Sequence, residues 1–261
     1  MKSTYVAPFL LLFGAQAGSS DAILSSRSVN DARDNGGSLR VIFDEDKAGS
    51  VTADERIVVE DLIRQSATEV RELLPSLPDE IEVTVGVVDR DVDIVGGITG
   101  RADAPGEVRI DLSSVYPGGI LAAARASLKS SVFHEFHHLY RGWTIRDNRY
   151  GPGIAVAAVN EGLADVFTET YTGIYFEAAS GYPENADEWL AEIMLLPPDA
   201  DYGTWMFAHP DGRTSIGYRV GRYIVHQAIR NSGKDVLALG EMSPDEILGL
   251  AQAATGQPAT R

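Results

Sequence analysis

His134, Glu135 and His138 stand in the order His-Glu-x-x-His within Val132-Phe133-His134-Glu135-Phe136-His137-His138. Residues four apart project from one face of a helix, one turn along, so both imidazoles can reach a single cation. Glu135 is rotated to the side of that pair, where its carboxylate can take a proton from a metal-activated water instead of filling a coordination position. His137 points elsewhere. Leu121, Leu128, Val132, Phe133, Phe136 and Leu139 put apolar material around most of the same helix. Burying two imidazoles and a carboxylate without partners costs on the order of several kcal/mol, which makes a bound metal the economical reading.

A catalytic zinc takes three protein ligands and a water, so a third donor must come from elsewhere. Asn160-Glu161-Gly162-Leu163-Ala164-Asp165 opens a second helix, with Glu161 23 positions after His138 (161 − 138). Glu161 is assigned as the third ligand. Asp165, four residues on and on the same face, is assigned to accept the free N–H of a ligating imidazole, fixing its tautomer. Asp165 or Glu169 as the ligand is the alternative, since all three carboxylates share one helical stripe. A third histidine of the type His-Glu-x-x-His-x-x-Gly-x-x-His is excluded, because Arg141 and Thr144 occupy the required places. Gly162 is expected to let the two ligand-bearing helices pack closely. With no cysteine in the chain, any ion is held by nitrogen and oxygen.

These groups need a frame, and 44% hydrophobic residues over 261 positions supply one domain with a sizeable core. Leu39 to Phe43, Ile81 to Val88 and Glu107 to Leu112 read as strands, and Thr52 to Leu74 as an amphipathic helix stopped by Pro75. After Gly119 the pattern turns helical, at about Ile120 to Tyr140, Ile154 to Thr172, Ala186 to Leu196, Thr214 to Asn231 and Pro244 to Ala254. Strands followed by helices give an α+β class, in preference to alternating βαβ units. Residues 1–17 combine Lys2, the apolar run Tyr5 to Phe13 and Ala15-Gln16-Ala17, the pattern of a secretory signal peptide cut after Ala17. That run is too short to span a bilayer. Residues 18–38 read as a flexible leader, 39–255 as the domain and 256–261 as a frayed tail. The expected destination is secreted or periplasmic.

The motifs carry a family resemblance. His134-Glu135-x-x-His138 followed by Asn160-Glu161-x-x-x-Asp165 resembles the gluzincins, zinc peptidases with a glutamate third ligand. The sequence His134 to His138, the run Glu161 to Asp165, and Gly217-Tyr218-Arg219-Val220-Gly221 further resemble a bacterial family of predicted zinc-dependent proteases, over roughly Gly119 to Leu248. The resemblance implies a zincin-like fold, Zn2+ as cofactor and peptide or protein as substrate. It also implies a sheet edge beside the His-Glu-x-x-His helix that aligns the peptide, for which Glu107 to Leu112 is the candidate. In the chemistry that follows, Glu135 is the general base and a donor stabilises the oxyanion. Tyr218 is favoured for that donor over His209 and His226.

The formal net charge is −16, or −17 once a segment containing Lys2 as its single charged residue is removed, which opposes binding to nucleic acid or anionic lipid. Two other functions compete with peptide hydrolysis: a non-catalytic zinc-bearing binding module of the cell envelope, and a zinc hydrolase of non-peptide substrates. Asp44-x-Asp46-x-Ala48-Gly49 with Glu55 comes near a calcium loop, but Ala48 offers no side-chain oxygen. Thr52 and Glu55 instead form a capping box for the next helix.

Overall fold

The computed structural model describes residues 37–49 and 51–253, so the expectations for residues 1–36, including cleavage after Ala17, and for 254–261 lie outside the described residues. Strand β1 (Ser38–Phe43) and the single turn α1 (Glu45–Ala48) lead into α2 (Ala53–Leu73). Thr52 starts α2 with the expected reciprocal cap: its N–H donates to Glu55 Oε2 (2.9 Å) and its Oγ1 accepts from Glu55 N–H (3.3 Å). Strands β2 (Glu80–Val88), β3 (Ile98–Ala104) and β4 (Glu107–Ser113) complete a four-stranded sheet in the order β1-β2-β4-β3.

Two features of this sheet correct the sequence reading. β1 and β2 are parallel and joined through α2, so one βαβ unit sits inside an otherwise α+β molecule. Further, the strand at Glu107–Ser113 is internal, parallel to β2 and antiparallel to β3, and therefore is not the sheet edge. The edge beside the helices is β3, which the sequence did not announce. On the face turned to α3 it carries Ile98 and Ala102, both buried, and Gly100, exposed beside Glu135, a run with too little apolar bulk for the strand alternation to stand out.

The inner sheet face, with Val83, Val85, Val108, Ile110 and Leu112 buried, packs on α2 and on α3 (Gly119–Arg141). The outer face is polar: Arg109 sits between Asp44 (3.1 Å) and Asp111 (2.9 Å). Asp44 thus pairs with an arginine and caps α1, while Glu55 caps α2, which leaves these two acids of the near-calcium loop otherwise engaged. α3 ends where Gly142 takes a left-handed conformation (φ 66°) and turns its N–H back onto the last turn.

On the far side of α3 lie α4 (Ile154–Thr172), α5 (Glu177–Ser180), α6 (Ala186–Met194), α7 (Tyr202–Met206), α8 (Ile216–Ser232), α9 (Val236–Gly240) and α10 (Pro244–Gln252). α8 begins two residues later than its apolar pattern suggests. Thr214 is held in a β-bridge to Ala208, and Ser215 adopts a left-handed conformation (φ 53°) that no helix continues through. Ser243 and Glu246 repeat the capping box at α10, with Pro244 in its first turn. No helix among the described residues is long and apolar enough to cross a membrane.

Candidate metal centre

α3 and α4 pack side by side and turn three donors toward one point. His134 Nε2 and His138 Nε2 lie 3.0 Å apart, and Glu161 Oε2 is 3.1 Å from the first and 3.2 Å from the second. Ligand atoms about 2.0–2.2 Å from a zinc in tetrahedral array are on the order of 3.3–3.5 Å from one another, close to this triangle. His134 Nδ1 lies 3.2 Å from Asp165 Oδ1. A proton on Nδ1 facing that carboxylate leaves a lone pair on Nε2, directed at the other two donors. Two imidazole nitrogens and a carboxylate oxygen at these separations are placed to share one cation. The described residues contain one such group of donors, and it fits zinc in ligand type as well as spacing.

The electrostatics follow from the same crowding. Burial opposes a charge on His134, but hydrogen bonds to Asp165 and Glu161 outweigh it and hold its pKa well above the ordinary range. Burial also works against ionised Glu161, and the two imidazoles overcome it, keeping that carboxyl well below the usual carboxylate range. Both oxygens of Glu161 are engaged. Trp143 Nε1–H donates to Oε1 (3.3 Å), which leaves Oε2 for the imidazoles. The indole is delivered by the turn at Gly142, after which Trp143 N–H bonds back to His138 O (3.0 Å).

The Glu135 side chain lies against Gly100 of β3. It is 5% exposed, and its Oε2 is buried without a partner among the described residues. Burial, against the pull of the two imidazoles, raises its pKa. The carboxylate fits against β3 because residue 100 is glycine; a Cβ there would lie 2.6 Å from Glu135 Cγ and 2.8 Å from its Cδ.

Gly162 does permit close packing, but against α8, not against α3 as expected from the sequence. A Cβ on Gly162 would sit 2.7 Å from Arg222 N, and one on Gly221 would sit 2.8 Å from the Ala158 carbonyl carbon. The crossing of α4 and α8 at these two glycines explains part of the Gly217-Tyr218-x-x-Gly221 pattern. Gly217 faces Met206 of α7, where a Cβ would be 2.7 Å from the methionine methyl.

Of the three candidate oxyanion donors, Tyr218 lies on the first turn of α8 with its ring 6.4 Å from that of Phe207. Burial, followed by the charge of Glu161, raises its pKa well above the ordinary phenol, so it stays protonated. His226 instead meets Tyr182 Oη (3.1 Å), and His209 meets Asp211 (2.9 Å) and the ring of Trp205. Tyr202, at the start of α7, resembles Tyr218: burial and then Glu161 and Glu135 raise its pKa. Trp143, Gly100 and Tyr202 were not singled out from sequence. Each reaches the site through tertiary packing, and none belongs to a short motif.

Fold and site together define an α+β protein in which paired helices bring two histidines and a glutamate, largely buried, into a cluster that could hold a metal ion. Residues 121–249, from α3 into α10, match the model of the family described as Predicted Zn-dependent protease (DUF2268). No curated protein and no solved structure matches the chain. The family description and the three-donor cluster together support zinc as the cofactor.

Proposed function

We propose that this protein is an exported zinc peptidase of zincin-like architecture in which His134, His138 and Glu161 hold the metal and Glu135 is the general base. The observation that carries the reading is the position of Glu135, a buried carboxylate with one oxygen unpartnered, between the donor triangle and the free edge of β3. When bound there, zinc acts as a Lewis acid that acidifies a water and polarises a carbonyl. Glu135 accepts the water's proton and returns it to the departing amine; its raised pKa brings it nearer to the neutral range in which both transfers are efficient. Asp165 orients His134 through Nδ1, and Trp143 holds the carboxylate of Glu161 so that one oxygen faces the metal position. Tyr218, kept protonated, donates to the oxyanion of the tetrahedral intermediate. Export is supported by Lys2, the apolar run Tyr5 to Phe13 and the small residues Ala15 and Ala17, and sequencing the N-terminus of the mature protein tests it.

Glu135→Gln is expected to retain zinc in equilibrium dialysis while losing cleavage of a mixed peptide library. His134→Ala and Glu161→Ala are expected to lose zinc affinity as well. Intact cleavage by Glu135→Gln would show that the base is another group. A zinc-loaded wild type that leaves the whole library uncut would instead favour a binding module.

A further inference from the structure

β3 carries information on where along a peptide the cut falls, and this inference rests on the peptidase reading. Ser113 N–H donates to Gly97 O (2.8 Å), and the register pairs Thr99 with Asp111 and Arg101 with Arg109. Bonded and non-bonded pairs alternate in an antiparallel ladder, so Thr99 and Arg101 turn their backbone groups to β4 while Ile98, Gly100 and Ala102 turn theirs outward. The Ala102 carbonyl obeys that parity: it accepts from Ile145 N–H (3.0 Å). The following residue continues the cover, with Arg146 N–H on Asp103 O (2.9 Å) and the Arg146 guanidinium paired with Glu107 of β4. The segment Thr144 to Arg146 is therefore a strap along the edge from Ala102 onward. The outward groups of Ile98 and Gly100 take no partner among the described residues.

The base fixes the reacting position on this edge. Glu135 lies against Gly100, so the bond to be cut is held opposite Gly100, and the strap begins two positions farther on, at Ala102 (102 − 100). A peptide joining the edge in the more stable antiparallel sense runs with its amino end toward Ala102 and its carboxyl end toward Ile98. At about 3.3 Å per residue, the space before the strap takes roughly two residues. Beyond Ile98, among the described residues, no strap bonds to the edge; Gly97 N–H is turned onto Val92 O in the loop that leads into β3. We propose that the strap closes the amino-terminal end of the substrate groove, so that this peptidase releases single residues or dipeptides from the free amino end of its substrates.

Zinc-loaded protein should be given a linear peptide and the head-to-tail cyclised form of the same sequence, with the first products read by mass spectrometry. The linear peptide is expected to lose one or two residues from its amino end first, and the cyclised form to survive. First cuts in the interior or at the carboxyl end, or opening of the cyclised form, overturn the proposal while leaving the peptidase reading standing. If neither peptide is cut with zinc bound, the peptidase reading falls and takes this one with it. Ile145→Pro and Arg146→Pro each remove a main-chain donor that pins the strap, on Ala102 O and on Asp103 O, the second together with the ion pair to Glu107. In either variant the first cuts are expected to move inward and the cyclised form to open; cut positions identical to wild type in both overturn the strap's role.

Discussion

At the residue scale the proposed metal centre is built in two layers with different origins. His134 and His138 are set by the pitch of α3, whereas Glu161 depends on a second side chain, the indole of Trp143, to present one oxygen and not two. Trp143→Phe keeps an aromatic ring at the position and removes the donor. Zinc affinity is expected to fall about tenfold, the lower end for loss of a partner to a metal ligand, as read by competition with a chromophoric chelator. Unchanged affinity would mean that Glu161 is oriented by α4 alone. The contrast also explains what the sequence disclosed. A His-Glu-x-x-His pattern is legible because its chemistry needs only four consecutive steps along a helix, and Glu161 and Asp165 are legible for the same reason on α4. Trp143 directly follows the glycine that ends α3, in a stretch with no periodicity, and nothing local marks it. Tyr202, next to the helix cap Asp201, reads as an ordinary helix start.

At the scale of elements, the crossing of α4 and α8 sets where Glu161 can be. The two backbones touch through Gly162 and Gly221, and any side chain at either position collides with main-chain atoms that cannot swing aside. Gly221→Ala is expected to force the helices apart and to cost at least about 1–3 kcal/mol in urea unfolding, the range for overpacking a tight core. Zinc affinity should fall with it, since Glu161 rides on the displaced helix. Most elements could be read from pattern and caps: Thr52 with Glu55 for α2, the apolar faces of α3 and α4, Ser243 with Glu246 for α10. β3 could not, for a reason that belongs to the site. Gly100 makes room for Glu135, and Ala102 lies where the strap crosses the edge, so the residues that serve the groove remove the bulky alternation by which a strand is recognised.

At the scale of the whole molecule, a sheet and a helical layer share α3 as their common wall. Stability should depend on pH through a group remote from the metal. Burial, reinforced by the nearby Arg222, lowers the pKa of His226, whose Nδ1 meets Tyr182 Oη. A depressed histidine pKa means that the folded state favours the neutral ring. Its contribution is complete above the unfolded-state pKa of about 6.5 and is lost as pH falls from there through the lower folded value. Unfolding midpoints measured between pH 7.5 and pH 5 are expected to drop more in wild type than in His226→Gln; parallel curves would mean that His226 is not the group responsible.

One arrangement within that wall has a thermal consequence. Glu135 and both imidazoles are carried by a single helix, so the spacing between base and imidazoles is fixed by covalent connectivity and one turn of hydrogen bonds, whatever the layers do. Glu161 arrives from a neighbour, and its distance changes whenever the layers breathe. Warming should therefore loosen the ion's third anchor while α3 is still wound. Zinc release, followed by an indicator dye, is expected to precede the loss of helical dichroism in a temperature ramp, and coincidence of the two would mean that the layers separate only when the helices melt.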